Sequence, residues 1–124
     1  MNTERDLKSD YPWERYWAAK GLYFNKDYGT LKTMINDSDG DVRFWVAWSL
    51  YDNKDFGTLK TMINDSDRWV RYHVGLCLVD AEDWNTLEKF LDKEKDVWVK
   101  NSVERYTEKC LIRKHFGFKL EEDN

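Results

Sequence analysis

The sequence predicts an all-α fold, an α-solenoid of stacked antiparallel helix pairs. Three observations predict it. The first is a recurrence: Lys26-Asp27-Tyr28-Gly29-Thr30-Leu31-Lys32-Thr33-Met34-Ile35-Asn36-Asp37-Ser38-Asp39 returns 28 residues later at Lys54–Asp67 with one change, Phe56 for Tyr28. Asp83-Trp84-Asn85-Thr86-Leu87 begins it a third time. The second is a companion series. Val42-Arg43-Phe44-Trp45-Val46 corresponds to Val70-Arg71-Tyr72-His73-Val74 at a shift of 28, and to Val99-Lys100-Asn101-Ser102-Val103 after one further inserted residue near 93–96. Glu14-Arg15-Tyr16-Trp17-Ala18 is an earlier, diverged copy. The third is composition: one proline and six glycines in 124 residues argue against disorder and against a loop-rich β fold. A lone helix pair cannot bury both of its faces, so an unbroken series of pairs must stack on its neighbours.

The elements follow in order. A partial helix is expected near 3–9, then helices near 12–24, 27–36, 41–52, 55–64, 69–80, 83–92 and 97–111. Pro12 suits a first helical turn, where its missing N–H costs nothing. Asp27, Asp55 and Asp83 stand at N-cap positions, just ahead of apolar-periodic runs. Tyr28, Leu31, Met34 and Ile35 share one helical face. Asn36-Asp37-Ser38-Asp39-Gly40 is turn chemistry, with Asp39 or a neighbour available to cap the next helix. Val42, Val46, Ser49 and Leu50 then form a core stripe, and Asn53, Asp80 and Ala81 mark short joins. The chain reads as one domain over 1–124, with units near 1–25, 26–53, 54–81 and 82–111 and a C-terminal tail at 112–124.

Composition narrows the function classes. Apolar residues make up 41% and charged residues 35%, and no apolar run approaches the length of a membrane span. The opening Met1-Asn2-Thr3-Glu4-Arg5-Asp6 enters no apolar run, so no secretory signal is expected. A net charge of −4 disfavours broad binding to nucleic acid or anionic membranes. Cys77 and Cys110 show no C-x-x-C spacing and are expected to be free, buried thiols without a histidine partner, in a reducing cytoplasm. The unusual quantity is 16% aromatic residues, with seven tryptophans.

The pattern Asp-Ser-Asp-x-x-Val-Arg-x-x-Val-(Ala/Gly)-x-x-Leu occupies Asp37–Leu50 and Asp65–Leu78. It resembles the HEAT-like repeat family, in particular its short form named after phycobilisome lyases, over roughly residues 11–110. The resemblance implies first helices outside and second helices lining a concave surface. It also implies that Arg15, Arg43 and Arg71, with Lys100 at the same position, form a structural ladder. Their guanidinium groups would bond to aspartates of adjacent interhelical turns, here Asp39 and Asp67. A planar guanidinium suits bidentate contact with a carboxylate at such a seam.

No enzyme motif appears: G-x-S-x-G, P-loop and dinucleotide fingerprints are absent. Some HEAT-like enzymes carry paired His-Glu motifs, and no His-Glu dipeptide occurs here. Asp37-Ser38-Asp39-Gly40-Asp41 lacks the remaining ligands and closing glutamate of a calcium loop, so it reads as capping. His73 and His115 have no second ligand at metal spacing on this reading. No metal and no cofactor are expected.

The second helices carry too many large apolar groups for one buried face. With Val42 at 0° and about 100° per residue, Phe44, Trp48 and Tyr51 fall opposite the core. Tyr16, Lys20 and Tyr23, then Tyr72, Leu76 and Val79, then Asn101 and Arg105 are their counterparts. Trp13, Trp69 and Trp98 lie beside this stripe; Trp17, Trp45 and His73 flank it. Solvent-facing helix faces are normally polar. An extended aromatic patch therefore marks either a binding surface or a self-packed face. The candidate partner-binding residues are Trp13, Tyr16, Phe44, Trp48, Tyr72, Leu76, Trp69 and Arg105. Arg105, Lys109, Arg113, Lys114 and Lys119 add one basic end, which suits a capping face or contact with an acidic partner or a phosphate backbone. The expected function is a non-enzymatic protein-interaction module: an adaptor, an inhibitor or an immunity-type protein. Homodimerisation through the stripe is a variant. The alternatives are a nucleic-acid-binding protein related to HEAT-like DNA glycosylases, and a bilin-lyase-like subunit.

Overall fold

Three aspartates at the 28-residue spacing set the frame. In a computed structural model, which describes residues 6–116, the side chains of Asp27, Asp55 and Asp83 accept the backbone N–H of Thr30, Thr58 and Thr86. Each starts a helix by satisfying one of its orphan donors. After a helical turn at residues 6 and 7, seven α-helices follow among the described residues. They are α1 (Pro12–Phe24), α2 (Tyr28–Lys32), α3 (Gly40–Asp52), α4 (Phe56–Leu59, continued by a 3₁₀ turn at Lys60–Met62), α5 (Arg68–Asp80), α6 (Trp84–Lys93) and α7 (Val97–Phe116). The rest of the helix expected near 3–9, and the tail beyond 116, lie outside the described residues.

The long helices α1, α3, α5 and α7 pack in succession, and each short helix lies against the long helix that precedes it. Their contact buries one apolar position per turn at corresponding places. Leu31, Leu59 and Leu87 come from the short helices; Ala18, Val46, Val74 and Val103 come from the long ones. Leu22, Leu50 and Leu78 fill the next layer. Met34 and Met62 give way to Phe90 at the third copy, and Ala19 and Ala47 give way to Gly75. The two changes belong together: a Cβ on Gly75 would lie 2.7 Å from Val103 Cγ2 and 3.1 Å from the Phe90 ring. The larger ring takes the volume that the missing methyl leaves.

The joins between long and short helices repeat a backbone device. Lys26, Lys54 and Glu82 have φ of 59°, 58° and 57°. The N–H of Asp27 reaches the carbonyl of Leu22, and that of Lys26 reaches Tyr23. The same pair of bonds joins Asp55 to Leu50 and Lys54 to Tyr51, then Asp83 to Leu78 and Glu82 to Val79. This is the Schellman closure, here made without glycine.

Two short helices are shorter than the spacing predicts. The segments expected as helices at 27–36 and 55–64 leave α geometry after Lys32 and Leu59 and tighten into i→i+3 bonds, such as Met34 N–H to Leu31. Each contains a glycine and two threonines, and the hydroxyls of Thr33 and Thr61 bond back to the carbonyls of Thr30 and Thr58. Such residues favour alternatives to the α-helix. In α6 the same places hold Asn85 and Lys89, and the helix runs its full ten residues.

Candidate functional site

Arg15, Arg43 and Arg71 lie half-buried along the seams. Arg15 Nε and Nη2 lie 3.0 and 3.2 Å from the two Asp37 oxygens, and Nη1 donates to the Ser9 carbonyl at 2.7 Å. Arg43 repeats this on Asp65 at 2.8 and 2.9 Å, with Nη1 on the Asp37 carbonyl at 2.6 Å. Arg71 repeats it on Glu94 at 2.9 and 3.3 Å and on the Asp65 carbonyl at 2.8 Å. The ladder expected from the arginines is present with different acids: Asp37, Asp65 and Glu94 replace Asp39 and Asp67. The reason is geometric. Asp39 and Asp67 are N-caps, and their side chains turn into their own helices, accepting from Asp41 N–H at 2.8 Å and from Trp69 and Val70 N–H at 2.8 and 3.2 Å. The first aspartate of Asp-Ser-Asp sits earlier in the turn and faces the preceding long helix. Asp65 holds the Arg43 guanidinium even further above its ordinary value. Lys100, at the fourth rung, is exposed.

The opposite face of the long helices carries the rings. Trp13 and Trp69 are 59% and 55% exposed, while Tyr16, Phe44, Tyr72 and Leu76 are half-buried. Two clefts adjoin there, separated by Phe44 and Trp69. One, of about 610 Å³, lies at the starts of α1, α3 and α5 between Trp13, Tyr16, Trp45 and Trp69, with Asp39 and Asp41 on its wall. The other, of about 410 Å³, runs between Trp48, Tyr72, Leu76 and Tyr106, with Asp52 and Asp80 at its end. Both carboxylates of the second cleft are engaged. Asp52 accepts from the Tyr23 hydroxyl, and Asp80 accepts from Tyr106 at 2.6 Å. Burial, then the neighbouring carboxylate, push both phenols above their ordinary value. Among the described residues, no lysine or arginine lines either cleft.

Trp48 is divided between two roles. It is 37% exposed, yet one ring face stacks on His73 at 4.7 Å and 12°. Phe44 packs against the same two rings at 5.6 and 4.8 Å. Trp45 is wedged among Tyr16, Tyr23 and Phe44, with its indole N–H buried and unpartnered among the described residues. Arg105 is exposed and lines neither cleft, so the structure does not bring it together with the other seven candidates. Of the basic end, Lys114 pairs with Glu82, and Lys119 lies outside the described residues.

Compared with protein-family models, curated proteins and solved structures, the chain matches none.

One pair corrects the sequence reading. Cys77 does have a histidine partner: its Sγ lies 3.6 Å from His73 Nε2. The two residues are four apart on α5, a spacing that could have found them. Burial pushes the Cys77 thiol up to about 12 and the His73 imidazole down to about 4. Both shifts favour the neutral pair and oppose the thiolate that a nucleophile needs. No group of three metal-ligating side chains occurs among the described residues. No helix among them is long and apolar enough to cross a membrane.

Proposed function

We propose that this chain is a non-enzymatic protein-interaction module, a HEAT-like α-solenoid that grips a segment of a partner protein on the aromatic face of its long helices. The observation that carries this reading is the pair of adjoining clefts, walled by tryptophan, tyrosine and phenylalanine that the core does not absorb. Aromatic side chains supply large contact area at low entropy cost and dominate binding hot spots. The recurrence of helix pairs and of the arginine rungs supports the solenoid. The unactivated Cys77–His73 pair supports a non-enzymatic role. The two free cysteines fit a reducing, cytoplasmic location. Carboxylates on both clefts would repel a phosphate backbone, and no residue of either cleft speaks for a bilin.

The test is affinity capture from the source cell with wild type beside Phe44→Ala/Trp48→Ala, followed by calorimetric titration of the purified partner. Saturable binding to wild type, weakened by about 30-fold or more in the variant, supports the reading. Equal binding by both proteins contradicts it. A second copy of this chain as the only partner would assign the face to homodimerisation.

A further inference from the structure

We propose that the cleft at the starts of α1, α3 and α5 seats a guanidinium, supplied by an arginine of the partner segment. This rests on the interaction reading above and names the chemistry of its ligand.

The protein contains such a seat already filled. Asp96 caps α7, its Oδ1 accepting from Trp98 N–H at 3.0 Å and Val99 N–H at 3.3 Å. Arg68 binds the same carboxylate through both oxygens, Nε to Oδ2 at 2.8 Å and Nη2 to Oδ1 at 2.9 Å. Its Cζ lies 5.0 Å from the centre of the Trp98 ring. A capping carboxylate and the tryptophan two residues on thus hold one guanidinium, stacked on the indole and bonded at its edge.

One spacing earlier the capping carboxylate and the tryptophan recur without the arginine, with Asp67 lying against Gly40 and outside the lining of the cleft. Asp67 caps α5 and bonds Trp69 N–H and Val70 N–H, as Asp96 bonds Trp98 and Val99. Trp69 stands where Trp98 stands. The residue corresponding to Arg68 is Gly40, which has no side chain to give. Nor could a longer residue there serve without displacing the cap: a Cβ on Gly40 would lie 2.2 Å from Asp67 Oδ2. The Trp69 ring instead opens onto the cleft of about 610 Å³, whose far wall carries Trp13 and the carboxylates of Asp39 and Asp41. The charge there is negative, the indole faces are large, and among the described residues no lysine or arginine lines the cleft. Arginine fits better than lysine because its planar fork can stack and bond a carboxylate through two nitrogens together.

The experiment titrates ¹⁵N-labelled protein with N-acetyl-arginine methylamide and follows the tryptophan indole signals. N-acetyl-citrulline methylamide serves as the neutral isostere and N-acetyl-lysine methylamide as the unforked cation. The expected result is a saturable shift of the Trp13 and Trp69 signals, with affinity reduced about tenfold for citrulline, in line with the loss of a charge-assisted bidentate contact. Asp41→Asn and Trp69→Leu, both at exposed positions, should each weaken binding while leaving the circular-dichroism spectrum unchanged. Arg68→Ala provides the internal control: it empties the second seat, so the Trp98 signal should begin to respond. A Trp98 response in that variant with no Trp69 response in any protein overturns the proposal. So do equal shifts from arginine and citrulline. The two readings fail separately. Partner binding that needs Phe44 and Trp48, with no arginine response, removes the seat alone. An arginine response, with partner binding indifferent to Phe44 and Trp48, removes the interaction module and leaves the seat.

Discussion

His73 lies under Trp48, ring on ring, and burial holds its imidazole down to about 4. The unfolded chain takes up that proton near the ordinary 6.5. Between these values the unfolded state binds more protons than the folded state, so stability falls as pH drops from about 6.5 to about 4. Above 6.5 the contribution is fully present. The expected loss across the window is about 3 kcal/mol, read from urea unfolding at a series of pH values. His73→Phe keeps a ring under Trp48 and should flatten that part of the profile. Asp55 and Asp96, held below the usual carboxylate range chiefly by Lys32 and Arg68, act only at lower pH. At this scale the sequence was legible in kind more than in pairing. Recurrence put Arg15, Arg43 and Arg71 at one position of each unit, and the family resemblance implied that they form a ladder. Which aspartate of Asp-Ser-Asp each would meet depends on where the turn aims two carboxylates, and spacing alone does not carry that.

The ladder and the helix contacts are properties of elements. Arg43 ties α3 to the turn ahead of α5 with side chains 11% and 8% exposed. Arg43→Ala leaves the Asp65 carboxylate half-buried without its fork and should cost about 2–4 kcal/mol in denaturant unfolding. Arg43→Lys should recover only part, since an ammonium cannot reproduce the paired bonds. A second prediction concerns the close approach of α5 to α6 and α7. Gly75→Ala should destabilise by about 1–3 kcal/mol, because the new methyl meets Val103 and Phe90. Adding Phe90→Met recreates the alanine and methionine that the corresponding positions hold at 19 and 34 and at 47 and 62, and should restore part of the loss. A double-mutant cycle measures that coupling. Helix existence and order were readable from apolar spacing and the aspartate caps. The early end of α2 and α4 and the left-handed Lys26, Lys54 and Glu82 were not. Threonine back-bonding and a Schellman closure without glycine leave no mark in apolar periodicity.

Across the whole molecule, recurrence at 28 residues made the succession of helices legible, because the three copies from residue 26 onward repeat the same buried leucine, valine and capping aspartate. The fate of the excess aromatics was less legible. Helical angle placed Phe44, Trp48 and Tyr72 off the core, yet only the packing of neighbouring long helices decides which rings cover one another and which line a cleft. Trp48 shows the result: stacked on His73, packed against Tyr23, Phe44 and Trp45, and still partly open to solvent. Its truncation to alanine is expected to cost about 1–2 kcal/mol of stability, the scale of one stacked pair and partial burial. The most direct measurement is calorimetric titration of the captured partner against wild type and Phe44→Ala/Trp48→Ala, with both proteins shown to be folded at the assay temperature. A partner-binding aromatic face predicts a loss of about 2 kcal/mol or more in binding free energy for the variant, and protection of Trp48 from quencher in the wild-type complex. Unchanged affinity, with Trp48 equally accessible in free and bound protein, would contradict it.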